Sequence, residues 1–95
     1  MNNKMPKLET GMLVEVKTDE IDQVKLGIVL NNSIMYFIGS DGFDIVHNGY
    51  VKLNCSYVSK IYSITDKNYS INIFTDLYKS GYISKYLIWE TEDIL

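Results

Sequence analysis

Acid–base or metal chemistry in this chain would centre on its single histidine, His47, because Asp41 and Asp44 lie just before it in SDGFDIVHNGY. Such chemistry requires the imidazole and a carboxylate to reach one proton or one ion. A strand over 43–47 sends successive side chains to opposite faces, so Asp44 and His47 fall on different sides of the sheet. Asp41 falls in a glycine-containing turn, where aspartate suits the backbone. The spacing predicts a turn, a strand and a second turn instead of a site.

One alternative stays open, in which His47 meets a carboxylate from a distant loop, such as Asp19 or Asp22. Cys55 lies eight residues beyond His47 across a turn, and no local signature pairs the two, so we interpret it as a bystander thiol. The motifs GxxxxGK[ST], GxGxxG, GxSxG and HExxH do not occur in the sequence. We therefore expect no enzyme activity, no cofactor and no bound metal.

The composition favours a protein partner over a nucleic acid. The 95 residues include 12 acidic residues and nine lysines but no arginine, which gives a net charge of −3. Reading of phosphates and guanine edges relies on the arginine fork, so an acidic chain without arginine is atypical of nucleic-acid binders. We expect the partner to be a protein, with a basic surface as the better match.

The sequence also indicates a compartment. A single cysteine cannot form an intrachain disulfide, which fits a reducing environment. Residues 1–11 contain no apolar signal core, and the apolar runs are far shorter than the roughly 20 residues that cross a bilayer. We expect a cytoplasmic protein that does not enter a membrane.

The strand signal is strong along most of the chain. Isoleucine, valine and tyrosine are abundant and alanine is absent, which favours strands over helices. Alternation and turn residues predict extended segments at 12–17, 24–30, 33–38, 43–46, 50–53, 57–64 and 82–90. In the first of these, Met12, Val14 and Val16 predict a half-buried strand. Short strands at this spacing predict a small barrel.

One segment has a helical rhythm. Ile73, Phe74, Leu77 and Tyr78 recur at helical spacing, and Gly81 stands where a helix would stop, so we predict one short helix over 71–79. The predicted organisation is a flexible N-terminal arm at 1–7, a single domain at 8–90 with an insertion at 65–81, and a tail at 91–95.

Two groups of residues are candidates for contact with a partner. One is an acidic loop without the ligand pattern of a calcium site. The other is the aromatic insertion, because tyrosine gives large contact area at low entropic cost. The candidates are Asp19, Glu20, Asp22, Tyr69, Phe74, Tyr78 and Tyr82.

The order of the segments LETGMLVEV, GIVLNN, YVSKIY and LIWE resembles a group of small proteins of phages and prophages of Gram-positive bacteria. The resemblance implies a mainly β fold, a small SH3-like β-barrel, here with one short helix in a C-terminal insertion. Its motifs are structural, and no functional residue is carried over from it. It implies a phage-encoded protein that acts in the cytoplasm of the host cell.

Besides an enzyme, which would need His47 or Cys55 in a cleft with a carboxylate, three functions remain open at this point. The first is a protein-binding inhibitor of a host defence or regulatory protein, of the anti-CRISPR kind, by analogy with that class. The second is a barrel that binds single-stranded nucleic acid, with Tyr36, Tyr50 and Tyr62 as stacking platforms. The third is a homo-oligomeric structural module joined through an exposed strand edge.

Overall fold

The computed structural model describes residues 5–18, 24–39, 42–47, 50–51, 56–64 and 71–91. The strands in this part of the chain are β1 (Leu13–Thr18), β2 (Val24–Leu30), β3 (Ser33–Ile38), β4 (Gly42–His47), β5 (Tyr50–Val51), β6 (Ser56–Tyr62) and β7 (Leu87–Glu90). Helix α1 spans Ile71–Ser80, and a 3₁₀ helix spans Tyr82–Tyr86. The mainly β class with one short α-helix is confirmed.

The strands form one antiparallel sheet in the order β5-β4-β3-β2-β1-β6-β7. β5 joins the sheet through two residue pairs only, Val46 with Val51 and His47 with Tyr50. Among the described residues the two outermost strands, β5 and β7, do not pair with each other, so the sheet is open. The SH3-like barrel therefore stays a prediction. No helix in these residues is long and apolar enough to span a membrane.

Strand β1 is buried on both of its faces. Val14 and Val16 point into one apolar cluster, whereas Leu13 points into a second, and all three have no exposed surface. The predicted half-buried strand is therefore wrong. The face that alternation would leave to solvent is covered by α1 and the 3₁₀ helix, whose Phe74 and Ile83 pack in the cluster with Leu13.

The two clusters define the two sides of the sheet. We call the side with the first cluster the inner face, where nine buried residues pack with Met5, Met12 and Trp89. The side that carries α1 and the 3₁₀ helix is the outer face. Its buried cluster consists of Leu13, Leu26, Tyr62, Phe74 and Ile83.

Helix α1 confirms the predicted helix, and it ends at Gly81, whose φ of 83° is in the left-handed region that favours glycine. The predicted extended segment over 82–90 is wrong in its first half. Residues 82–86 form a 3₁₀ helix, in which the Ser84 amide and hydroxyl both donate to the Gly81 carbonyl. Burial of Ile83 against the outer face fixes this turn before β7 begins at Leu87.

Gly27 in β2 marks a close approach between two strands. The register of β2 on β3 shifts between Leu26 and Gly27, as expected for a bulge at an interior glycine. A methyl group on Gly27 would lie 2.5 Å from Ile34 Cγ2 and 3.0 Å from the Met35 carbonyl oxygen. The Met35 contact is with backbone, so it cannot be relieved by rotating a side chain.

We predict that Gly27→Ala lowers the free energy of unfolding by about 1–3 kcal/mol, the usual cost of overpacking a tight site. Urea denaturation followed by circular dichroism measures the loss. Unchanged stability would show that β2 and β3 can separate to admit a methyl group, and that the glycine is not required.

Candidate functional site

Strand β4 determines which face of the sheet each residue before His47 occupies. Val46 is buried on the inner face, whereas Phe43 and Ile45 are exposed on the outer face, which confirms their predicted alternation. Asp44 lies on the inner side, where its Oδ2 accepts a hydrogen bond of 2.7 Å from the Tyr36 hydroxyl. Asp41 and the His47 side chain lie outside the described residues. Within the described part, no three acidic, histidine or cysteine side chains group as metal ligands would.

Three of the seven predicted partner-binding residues lie in the described part of the chain. Phe74 is 5% exposed and packs in the outer-face cluster, so it holds α1 on the sheet and is not available as a contact. Tyr78 is partly buried at the edge of the same cluster. Tyr82 is 69% exposed at the turn after α1. The other four predicted residues, Asp19, Glu20, Asp22 and Tyr69, lie outside the described residues.

A row of cross-strand partners on the outer face shows where the cover ends. The row runs from Tyr62 through Leu13, Ile28 and Met35 to Phe43, each paired with the next across the sheet. Tyr62 and Leu13 are buried under the helices and Ile28 is partly buried, whereas Met35 is 47% and Phe43 is 67% exposed. Exposure rises along the row because α1 and the 3₁₀ helix cover only one half of the outer face.

The uncovered half carries a contiguous apolar surface. In the neighbouring row of the same face, Ser33 pairs with Leu30 on one side and with Ile45 on the other. Ile45 is 59% exposed. We call this surface the β4 face and define it by Leu30, Met35, Phe43 and Ile45. Contiguous exposed apolar side chains mark interaction sites more often than scattered ones do. None of the four carries a charge, so the surface suits an apolar partner.

The β4 face was not predicted from the sequence. Strand alternation places Phe43 and Ile45 on one side of the strand, but it does not show which side is covered. A signal was present, because β4 carries large apolar residues on both faces, Phe43 and Ile45 on one and Val46 on the other. Such a strand needs apolar cover on both faces, and the described part of the chain covers its inner face only.

The outer edge of β4 also has a defined backbone geometry. The Val46 amide donates to the Asn32 carbonyl at 2.7 Å, so Val46 directs its backbone groups towards β3. Alternation along a strand then turns the amide and carbonyl of Asp44 towards β3, and those of Phe43 and Ile45 away from it. Since β5 pairs only with Val46 and His47, no strand in the described residues pairs with the outer edge at Phe43 and Ile45.

A second polar cluster lies under α1. Glu15 is buried in β1, and the Ser59 hydroxyl lies 3.0 Å from Glu15 Oε1 and 3.1 Å from the Glu15 carbonyl oxygen. The register of β6 on β1 shifts beside Glu15, which leaves Ser59 as the extra residue of a bulge. The Glu15 carboxylate is only 5% exposed and accepts a hydrogen bond from the Ser59 hydroxyl, so the pair is enclosed within the helix-covered side of the sheet.

The charge of Glu15 reaches two tyrosines that pack nearby. Burial, with a further contribution from the Glu15 charge, raises the pKa of Tyr62 from 10.0 to about 12. Burial and the same charge raise the pKa of Tyr78, and the positive charge of Lys17 offsets part of this increase. On the inner face, burial and the hydrogen bond to Asp44 raise the pKa of Tyr36, whose ring also carries the Lys25 Nζ at 5.2 Å from its centroid. These three phenols stay protonated well into the alkaline range.

We predict an alkaline loss of stability. The pKa of Tyr62 is 10.0 in the unfolded chain and about 12 in the folded chain. The protonated phenol therefore stabilises the fold fully below pH 10.0, and this stabilisation is lost as the pH rises towards 12. Glu15→Gln keeps an acceptor for Ser59 and removes the charge, and we expect phenolate to appear at lower pH in the folded protein. Ultraviolet difference titration, with Tyr62→Phe to assign the signal, measures the change. An unchanged titration curve would mean that burial alone sets the Tyr62 pKa.

The geometry is not matched by a known relative. Comparison of the chain with protein-family models, with curated proteins and with solved structures finds no match in any of the three. The function must therefore be argued from the β4 face, its edge and the charges around them.

Proposed function

We propose that this chain is a non-catalytic protein-binding module whose contact surface is the β4 face. The observation that supports this most directly is the row from Tyr62 to Phe43, in which the same outer face is buried under α1 at one end and exposed at the other. Four large apolar side chains without a charge among them gain most from a partner that removes them from water.

The finer proposal is a phage-encoded inhibitor that binds a host defence or regulatory protein in the host cytoplasm, of the anti-CRISPR kind. It rests on the resemblance of LETGMLVEV, GIVLNN, YVSKIY and LIWE to small SH3-like barrel proteins of phages and prophages, and on the acidic, arginine-free composition. The exposed Tyr82 extends the proposed contact surface to the helical side.

The nucleic-acid alternative loses two of its three stacking platforms. Tyr36 and Tyr62 are buried in the two clusters, so their rings cannot stack on bases. The side chain of Tyr50 lies outside the described residues. The β4 face itself carries no lysine, and phosphate contacts supply most of the affinity of such proteins. We therefore favour a protein partner.

A capture experiment tests the proposal. Tagged wild-type protein is incubated with lysate of a Gram-positive host, with and without nuclease treatment, and the captured protein is identified, purified and bound again in a calorimeter. We expect Phe43→Ser combined with Ile45→Ser to weaken that binding about tenfold or more, because it removes two central apolar contacts. Ile88→Ser, an exposed isoleucine on the opposite sheet edge, is the matched control and should bind as wild type does.

Each contrary result has a definite reading. Equal binding by the double variant would place the contact surface elsewhere on the chain. Capture that is lost on nuclease treatment would favour the nucleic-acid alternative. A mass that increases with protein concentration, without a captured partner, would favour the homo-oligomeric module. Thermal unfolding of each variant separates lost contacts from lost folding.

A further inference from the structure

We propose that the contact between Ser59 and Glu15 is a conformational device, which selects one of two registers that the sequence of β6 allows on β1. A register states which residues face each other across two strands. A shift of one residue moves every side chain of the shifted stretch to the other face of the sheet, so the register decides which residues enter the core. The inference does not depend on the proposed function, because it concerns β1 and β6 and not the β4 face.

The pairing of β6 with β1 contains one extra residue. Glu15 pairs with Lys60, but the next residue of β1, Val16, pairs with Val58, so Ser59 has no residue opposite it. We call this arrangement the bulged register. A regular register would keep the pair of Glu15 and Lys60, and it would place Ser59 opposite Val16. The first residues of β6 would then be displaced by one position along β1.

The two registers place different side chains in the core. Val58 and Ile61 both pack in the inner-face cluster, although residues three apart lie on opposite faces of a regular strand. The bulge is what brings both to the same face. In the regular register Ser59 would lie on the inner face with Ile61, and Val58 would lie on the outer side opposite Lys17. The bulged register therefore buries a valine where the regular one would bury a serine.

The hydroxyl of Ser59 is the group that distinguishes the two registers chemically. Ser59 is 2% exposed, and its hydroxyl lies 3.0 Å from Glu15 Oε1 and 3.1 Å from the Glu15 carbonyl oxygen. In the regular register the hydroxyl would lie on the inner face, whereas the Glu15 carboxylate is enclosed on the outer side. Burial of a hydroxyl among apolar side chains without its partner is unfavourable. The contact with Glu15 therefore stabilises the bulged register over the regular one.

The backbone of Ser59 is supported from the other neighbouring strand. A bulge leaves its extra residue unpaired in the ladder with one partner strand, here β1. The Thr91 amide, which follows β7, donates to the Ser59 carbonyl at 2.8 Å. This carbonyl is thus satisfied although Ser59 has no residue opposite it on β1, which limits the cost of the bulge.

A matched pair of variants tests the role of the hydroxyl. Threonine and valine have nearly the same shape, but only threonine keeps the hydroxyl. We expect Ser59→Thr to keep Val16 opposite Val58. Ser59→Val removes the donor and supplies a side chain that suits the inner-face cluster, so we expect the ratio of regular to bulged register to rise about tenfold or more.

The register is measured by NMR on the full chain. Nuclear Overhauser contacts between the backbone protons of Val16 and those of residue 58 report the bulged register, and contacts with residue 59 report the regular one. Tyr57 gives a second signal, because it lies 40% exposed opposite Lys17 in the bulged register and would turn to the inner side in the regular one. Thermal unfolding of each variant is recorded in parallel.

An exchange of two neighbouring residues provides a variant for the case that Ser59→Val does not fold. Val58→Ser combined with Ser59→Val keeps the composition of the chain and places the valine two positions before Ile61, which is the spacing of a regular strand. We expect this double variant to fold with Val16 opposite residue 59. If it keeps residue 58 opposite Val16, or if neither variant folds, β6 has no second register to adopt and the proposal is wrong.

Variants of Glu15 test the other half of the contact. Glu15→Gln keeps a side-chain acceptor and should keep the bulged register, whereas Glu15→Leu removes the acceptor and should shift the ratio towards the regular register. An unchanged register in Glu15→Leu would show that the carboxylate plays no part and would overturn the proposal. A shift in Ser59→Thr as large as that in Ser59→Val would also overturn it, since shape and not the hydroxyl would then set the register.

Discussion

The burial of β1 on both faces is the constraint on which the rest of the structure depends. Val14 and Val16 require apolar cover on the inner face, and Leu13 requires it on the outer face. A single open sheet supplies the cover on the inner face by its own curvature. The cover on the outer face needs an element from outside the sheet. Helix α1 and the 3₁₀ helix provide it through Phe74 and Ile83. The segment after β6 is thus part of the core, because without it Leu13 and the residues that pack with it, Leu26 and Tyr62, would lose their apolar cover.

The cover provided by α1 is limited by its length. Ten residues at about 1.5 Å of rise give a helix of roughly 15 Å, and neighbouring strands are about 4.8 Å apart. A helix of this length cannot span the seven described strands of the sheet. Phe37 and Ile38 at the end of β3 still pack against the helix-covered cluster. Met35 in β3 and Phe43 in β4 are exposed. The apolar residues of the β4 face are exposed for this reason, and not because their own sequence departs from a strand pattern.

The sequence predicted most of the elements and little of their environment. Local signals were sufficient for β2, β3 and α1, since Asn31 with its φ of 55° forms the turn and Gly81 ends the helix as expected. Burial is not a local property, so alternation in 12–17 predicted one buried face where there are two. The 3₁₀ helix was not predicted either, because Ile83 and Tyr86 are equally typical of a strand. Tertiary packing, which is not visible in the sequence, selects the 3₁₀ helix.

The distribution of polar and apolar groups in the described residues is the reason for proposing a binding function. Catalysis needs reactive polar groups that a substrate can reach. Here Glu15 is enclosed with Ser59 beneath α1, and Asp44 is bonded to the half-enclosed Tyr36 hydroxyl. The groups that solvent reaches on the β4 face are apolar instead. A buried polar group and an exposed apolar surface are the two departures from ordinary packing that carry information. In the described residues the first is the Glu15–Ser59 pair beneath α1, and the second is the β4 face, which we propose another molecule covers.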